Sequence, residues 1–248
     1  MNHLGRLLAC VSACLICATP GIARAQSGDS FGWSITPYIW GSQTKLDLSY
    51  KDRDIASSTI KFSELLDIMD GAFMIHGEGG RGSWSAFADL TYIELSDTDK
   101  RQVATIKSSS EQIFLDAALA YWPGGFGSPL SIFGGLRYTG LDDEFKIEFP
   151  NLPDRKLRSN KDYTDALLGI RYRFDLSERW SLLTHGDLSF GDSEGTWLLR
   201  ALFGYTVGER RMNRILFGYQ YKQADFKDGH TGLDFTYQGP MAGFNFRF

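Results

Sequence analysis

From residue 31 onward the chain alternates between apolar and polar side chains with a period of two. In SWSAFADLTYIEL, Trp84, Ala86, Ala88, Leu90 and Tyr92 are interleaved by Ser83, Ser85, Asp89 and Thr91. In EQIFLDAALAYW, Ile113, Leu115, Ala117, Leu119 and Tyr121 oppose Gln112 and Asp116. YTDALLGIRYRF sets Ala166, Leu168, Ile170 and Tyr172 against Asp165, Arg171 and Arg173, and TWLLRALFGY sets Trp197, Leu199, Ala201, Phe203 and Tyr205 against Arg200. Successive side chains on a strand point to opposite faces, so this pattern predicts strands with one apolar face. Ten runs are bounded by Gly, Ser, Asp or Lys clusters: roughly 32–48, 70–80, 83–97, 102–123, 129–149, 159–176, 179–191, 195–208, 213–228 and 231–248. The gap at 49–69 is the longest. Within it, FSELLDIMD carries Leu65, Leu66, Ile68 and Met69 at helical spacing after Ser63, which predicts one short helix in a long loop.

Alternation alone fits any half-buried sheet. Three further features point to a closed antiparallel transmembrane β-barrel of ten strands, with eight or twelve as the alternatives. Aromatics stand at the ends of the apolar faces (Trp84 and Tyr92, Trp197 and Tyr205), as interfacial girdles require. The opposite face carries ionisable groups at mid-strand, where the core of a soluble sandwich would hold Val or Leu. The connections also alternate: RGS, PGGFGS, SER and GERRM are short and fall on one side, the 49–69 segment on the other. An even strand count puts both termini on the short-turn side, which in bacterial outer-membrane barrels is the periplasm.

The ending, MAGFNFRF, fits closure. A sheet in lipid cannot leave an edge unpaired, so the last strand must pair with the first, around Trp33 to Trp40. Phe244, Phe246 and Phe248 then face lipid, and Asn245 and Arg247 face the lumen. Leu233, Phe235 and Tyr237 have the opposite parity, which predicts a bulge at Gly239-Pro240.

Composition adds a front end. Residues 1–25 open weakly basic, continue as the apolar run LLACVSACLICA, and finish on ARA, the small-residue pattern of a signal-peptidase site. A secretory signal peptide is therefore expected at 1–25, with the barrel at 26–248. All three cysteines (Cys10, Cys14 and Cys17) lie in the leader, so the remainder has no thiol for a disulfide, a metal or a nucleophile. VSAC superficially resembles a lipoprotein box, but cutting there would leave a hydrophobic stub, LICA. The formal net charge is −4, and losing Arg6 and Arg24 with the leader makes it more negative. An acidic chain without a basic cluster speaks against nucleic acid as a partner.

With WSITPYIW, GRGSWSAFADLTYIELSD, FGGLRY and the closing GPMAGFNFRF, the chain resembles the small outer-membrane β-barrel proteins of Gram-negative bacteria, a broad family of mostly unassigned function. The resemblance implies outer-membrane lipid as surroundings. It also implies recognition of Phe244, Phe246 and Phe248 by the outer-membrane assembly machinery. It carries no catalytic residues, no cofactor and no oligomeric state.

The apolar parity assigns His76, Glu78, Asp89, Asp116, Arg137, Asp165, Arg171, Arg173, His185, Asp187, Arg200, Lys222 and Arg247 to the lumen. Barrels of about eight strands are filled by side chains, while aqueous channels need about sixteen. The first expectation is thus a lumen filled by ion-paired polar residues, in a barrel with a structural or passive small-solute passage role. The alternative is a lipid-modifying hydrolase or acyl transferase using His185 and Asp187 with Ser181 or Ser189. Residues two apart on a strand stand roughly 6.5 Å apart along it, too far for a direct relay between His185 and Asp187 without help from an adjacent strand. His76 with Glu78 lacks a third fixed ligand, so no metal is expected. Tyr38 and Trp40 read as girdle residues rather than a sugar-binding stripe. A third reading is an adhesin acting through the 49–69 loop, whose helix could equally be a lid or a plain surface piece.

Overall fold

The computed structural model describes residues 31–248 apart from 52, 101–104, 149–153, 209–211 and 229–230. The expected leader lies outside the described residues. The wall consists of β1 (Gly32–Trp40), β4 (Met69–Arg81), β5 (Trp84–Lys100), β6 (Thr105–Tyr121), β7 (Leu130–Glu148), β8 (Arg155–Asp175), β9 (Trp180–Gly191), β10 (Gly195–Val207), β11 (Asn213–Asp228) and β12 (Thr231–Arg247). Each is antiparallel to the next, and β12 returns to β1, giving the closed ten-stranded barrel that the alternation predicts. Closure runs from Ser34 opposite Arg247 to Trp40 opposite Met241. Phe248 completes it: its N–H donates to the Trp33 carbonyl at 2.9 Å, and its ring stacks on Trp33 with centroids 4.1 Å apart.

The 49–69 segment is not a loop. Between β1 and β4 the chain forms β2 (Gln43–Tyr50), β3 (Arg53–Ile60) and the short helix α1 (Phe62–Asp67). β2 continues the line of β1 along β12, and β3 folds back on β2 as an extra hairpin outside the ten-stranded ring. In RDIASSTI there is no apolar alternation to announce a strand; its partner β2 supplies the ladder instead. Ile68 O accepts from Ser96 N–H at 2.7 Å, which ties the end of this excursion to β5.

The bulge expected at Gly239-Pro240 is absent. β12 keeps one register against β11, from Arg214 opposite Asn245 to Asp228 opposite Thr231, and one register against β1 and β2. Gly239 faces inward instead, and a Cβ there would lie 2.0 Å from the Gly41 carbonyl oxygen, so glycine permits the close approach where β1 passes into β2. Phase is kept because Phe235 and Tyr237 face the lumen.

The strands of the β5–β8 wall are far longer than the 9–11 residues that cross a bilayer. β7 has 19 residues and β8 has 21, and the excess lies at the end away from the termini, where Arg158 with Asp142 and Lys156 with Glu144 pair across strands. Below that polar wall, outward side chains form an apolar belt: Leu119 is 61% exposed, and Leu136, Leu168, Ile170, Leu188, Leu199 and Phe217 are exposed with it. An apolar surface this extensive is the kind that lipid covers. Aromatic pairs near the short turns, Trp84 with Tyr121 and Trp180 with Tyr205, border it.

Candidate functional site

The lumen divides into two regions. Toward the end away from the termini it is closed by an apolar cluster of Trp40, Met74, Ile93 and Tyr237, with Phe114, Phe235 and Leu95 packed against it. Phe235 stacks on Tyr237 at 5.9 Å, and Phe114 meets Tyr237 edge-on at 5.8 Å. Tyr38 and Trp40 are therefore not girdle residues: β1 turns its even positions inward, leaving both buried. The Trp40 indole N–H has no hydrogen-bond partner there. Toward the short-turn end the lumen opens into a cavity of about 200 Å³.

Charged side chains ring the barrel at mid-height, where these two regions meet. Arg137, 1% exposed, donates from Nε and Nη2 to the two oxygens of Asp116 at 2.8 and 2.7 Å. Its Nη2 also stands 3.0 Å from Asp187 Oδ1, an ionic contact without hydrogen-bond alignment, so that oxygen and Arg137 Nη1 lack hydrogen bonds. The other Asp187 oxygen lies 2.6 Å from His185 Nε2. The two side chains lean together along β9 and span the rise between alternate residues, which corrects the expectation that they stand too far apart without help from an adjacent strand. Arg200 reaches Asp89 at 3.6 Å and hydrogen-bonds Gln220 Oε1. Asp89 also accepts from the Tyr38 hydroxyl at 2.6 Å and contacts His76 Nδ1 at 3.1 Å. Lys222, 5% exposed, sets its ammonium 4.0 Å from the Phe114 ring centroid.

Nearer the short turns, Arg171 forms a two-pronged pair with Glu78, at 3.0 and 2.9 Å, and donates from Nε to Ser131 Oγ. Its guanidinium lies over Phe87, Trp122 and Phe133, at 4.7, 5.3 and 5.4 Å from the ring centroids. Such stacking needs a planar cation, which favours Arg over Lys. Phe133 has room because Gly169 faces it; a Cβ there would lie 2.2 Å from the ring. Glu78 also accepts from Ser85, which accepts from the Trp122 indole N–H.

Asp165 faces inward opposite Arg137 in the β7–β8 register, but among the described residues it makes no ion pair with these arginines. It accepts from Ser189 Oγ and from both the N–H and hydroxyl of Ser193, fastening the β9–β10 turn. Arg173 and Arg247 stand at the cavity mouth, and Arg173 pairs with Asp175 at 2.9 Å. Trp122 and Arg214 belong to the site without having been singled out from sequence, and Tyr38 belongs to it although the sequence reading places it in a girdle. Arg214 was legible, since it shares parity with Lys222 on β11; Tyr38 was masked by its aromatic character.

For nucleophilic chemistry the set is incomplete among the described residues. Ser189 donates to Asp165, and Ser181 donates to the Gly204 carbonyl. His185 therefore has a carboxylate but no hydroxyl to activate, and that carboxylate faces Arg137.

No family model matches the chain, and no curated protein matches it significantly. Solved structures do. The outer membrane protease OmpT of Escherichia coli aligns over 92% of this chain and 99% of its own, with a TM-score of 0.53 at 11% identity. The attachment invasion locus protein Ail of Yersinia pestis aligns over 87% and 98%, with a TM-score of 0.39 at 8% identity. The β domain of the Bordetella autotransporter BrkA aligns over 88% and 98%, with a TM-score of 0.40 at 14% identity. The first likeness shows a shared barrel fold and nothing of activity.

Proposed function

We propose that the chain is an integral outer-membrane barrel with a structural role, its lumen sealed against solute flow and both termini in the periplasm. The observation that carries this is the pairing of three lumen arginines with carboxylates, while Lys222 rests against the Phe114 ring. Arg137 meets Asp116 and Asp187, Arg200 meets Asp89, and Arg171 meets Glu78, directly beneath a cluster of buried aromatics. Unpaired charges would draw water and leave a conducting file; paired ones under an apolar cap do not. The exposed apolar belt supports lipid as the surroundings. The pairing of Phe248 with Trp33 supports a terminal strand whose aromatic residues the assembly machinery reads before closure.

Single-channel recording of the purified protein in a planar bilayer tests the seal. Silence is the expected outcome at all moderate voltages, and a steady conductance would restore passive solute passage as the function.

A further inference from the structure

The cavity at the short-turn end is lined differently from its surroundings. Its inner wall is largely apolar, with Phe87, Trp122 and Phe133 grouped around the Arg171 guanidinium and Phe126 edge-on to Trp122 at 5.6 Å. Of the carboxylates that reach this cavity from mid-barrel, Glu78 pairs with Arg171 and Asp89 with Arg200, while Asp116 and Asp187 share Arg137. At the mouth the balance reverses. Among the described residues Arg214 and Arg247 make no ion pair with a carboxylate; Arg173 and Arg247 act on Arg214 as like charges, against the single opposite charge of Asp175, which is itself paired with Arg173. Arg247 also lies against Gly127, one residue from Phe126: a Cβ on that glycine would sit 2.8 Å from Arg247 Nη2. Surplus guanidinium charge therefore adjoins the aromatic wall.

We propose that this cavity is a binding site for one small amphiphilic carboxylate. Its aromatic or short acyl body would lie against Trp122, Phe126 and Phe133, and its carboxylate would lie on Arg214 and Arg247. Size, walls and charge agree on this class. A cavity of about 150 Å³ holds benzene, so about 200 Å³ suits a ring with one acidic substituent. A cation would be repelled at the mouth, and a fully polar anion such as phosphate would lose hydration against apolar walls without replacement. A neutral ring would leave the arginines as they are, whereas a carboxylate takes two-pronged hydrogen bonds from guanidinium and relieves their mutual repulsion. The site draws on the sealed-lumen reading only for its blind inner end. A conducting protein that still binds would remove the seal and keep the site, and a silent protein that fails to bind would do the reverse.

Isothermal titration of the full chain in lipid nanodiscs at low salt, with benzoate as probe, tests the site. Benzoate is expected to saturate a single site, with benzamide and inorganic phosphate each weaker by about tenfold or more, the loss a charge-assisted hydrogen bond or the apolar contact would cause. Arg214→Gln combined with Arg247→Gln should bring benzoate down to the level of benzamide. On the unaltered protein, added sodium chloride should weaken benzoate and leave benzamide unchanged, which keeps the test intact if the double variant does not fold. No saturable benzoate binding, equal binding of benzoate and benzamide, phosphate binding as tightly as benzoate, or salt-independent benzoate binding would each overturn the proposal.

Discussion

The two ends of the lumen solve the same problem by opposite means. Toward the far end, Trp40, Tyr237, Phe114 and Ile93 exclude water by packing, and the polar atoms among them are few. Toward the short turns, Glu78 with Arg171 fills space by pairing charges, and the packing is loose enough to leave a cavity. An apolar seal loses free energy in proportion to the surface removed. A charged network fails abruptly when one member is withdrawn, because its partner is left desolvated. The two regions should therefore respond differently to single substitutions.

The charged ring is expected to give way to a single substitution. Arg137→Ala would remove the guanidinium that holds Asp116 and Asp187 together, and should cost about 3–5 kcal/mol of stability. Urea unfolding in lipid vesicles measures this, and adding Asp187→Asn to the same background should recover part of the loss. A variant as stable as the parent would show that water already screens this pair.

In the apolar seal, Trp40→Ala with Tyr237→Ala removes two aromatic rings, each a loss of about 3–5 kcal/mol when fully buried. The informative readout is conductance: the double variant should pass ions in a planar bilayer, whereas Phe87→Ala, on the cavity wall below, should stay silent. Conductance from Phe87→Ala alone would move the seal to the other half of the lumen.

A smaller effect lies outside the lumen, on the polar extension of the wall. There the ammonium groups of Lys146 and then Lys107, at 2.7 and 2.9 Å, hold the exposed Glu148 carboxyl below its ordinary value. A carboxylate held low stabilises the fold above its unfolded value, and that contribution disappears as pH falls through the folded one. NMR titration of the Glu148 side chain should show a midpoint below that of a free glutamate, returning toward it in the Lys146→Met variant. Overall stability should barely change, since solvent screens the group.

This contrast also explains what could be read from sequence. The wall was legible because lipid demands apolar residues at every second position, and the charged set from His76 to Lys222 fell inward by the same parity. The rule failed where the lumen itself is apolar. Tyr38, Trp40, Phe235 and Tyr237 look lipid-facing by composition but face inward, so alternation suggested a girdle at one site and a bulge at the other. β3 was illegible for a different reason. Its residues have little apolar character of their own, and pairing with β2 makes them a strand. The direct His185 to Asp187 contact depends on side-chain lean, which spacing along a strand does not specify.

The unbroken register of β12 has a consequence for how the barrel is completed. One strand templates both β1 and β2, in a single phase from Ser34 opposite Arg247 to Tyr50 opposite Thr231. A slip of one residue along that line would transfer Tyr38 and Trp40 to the lipid side and bring Ile35 and Ile39 into the lumen, dismantling the seal while the ladder still formed. The aromatic seal thus acts as a proofreader: only the correct alignment both joins the strands and closes the interior.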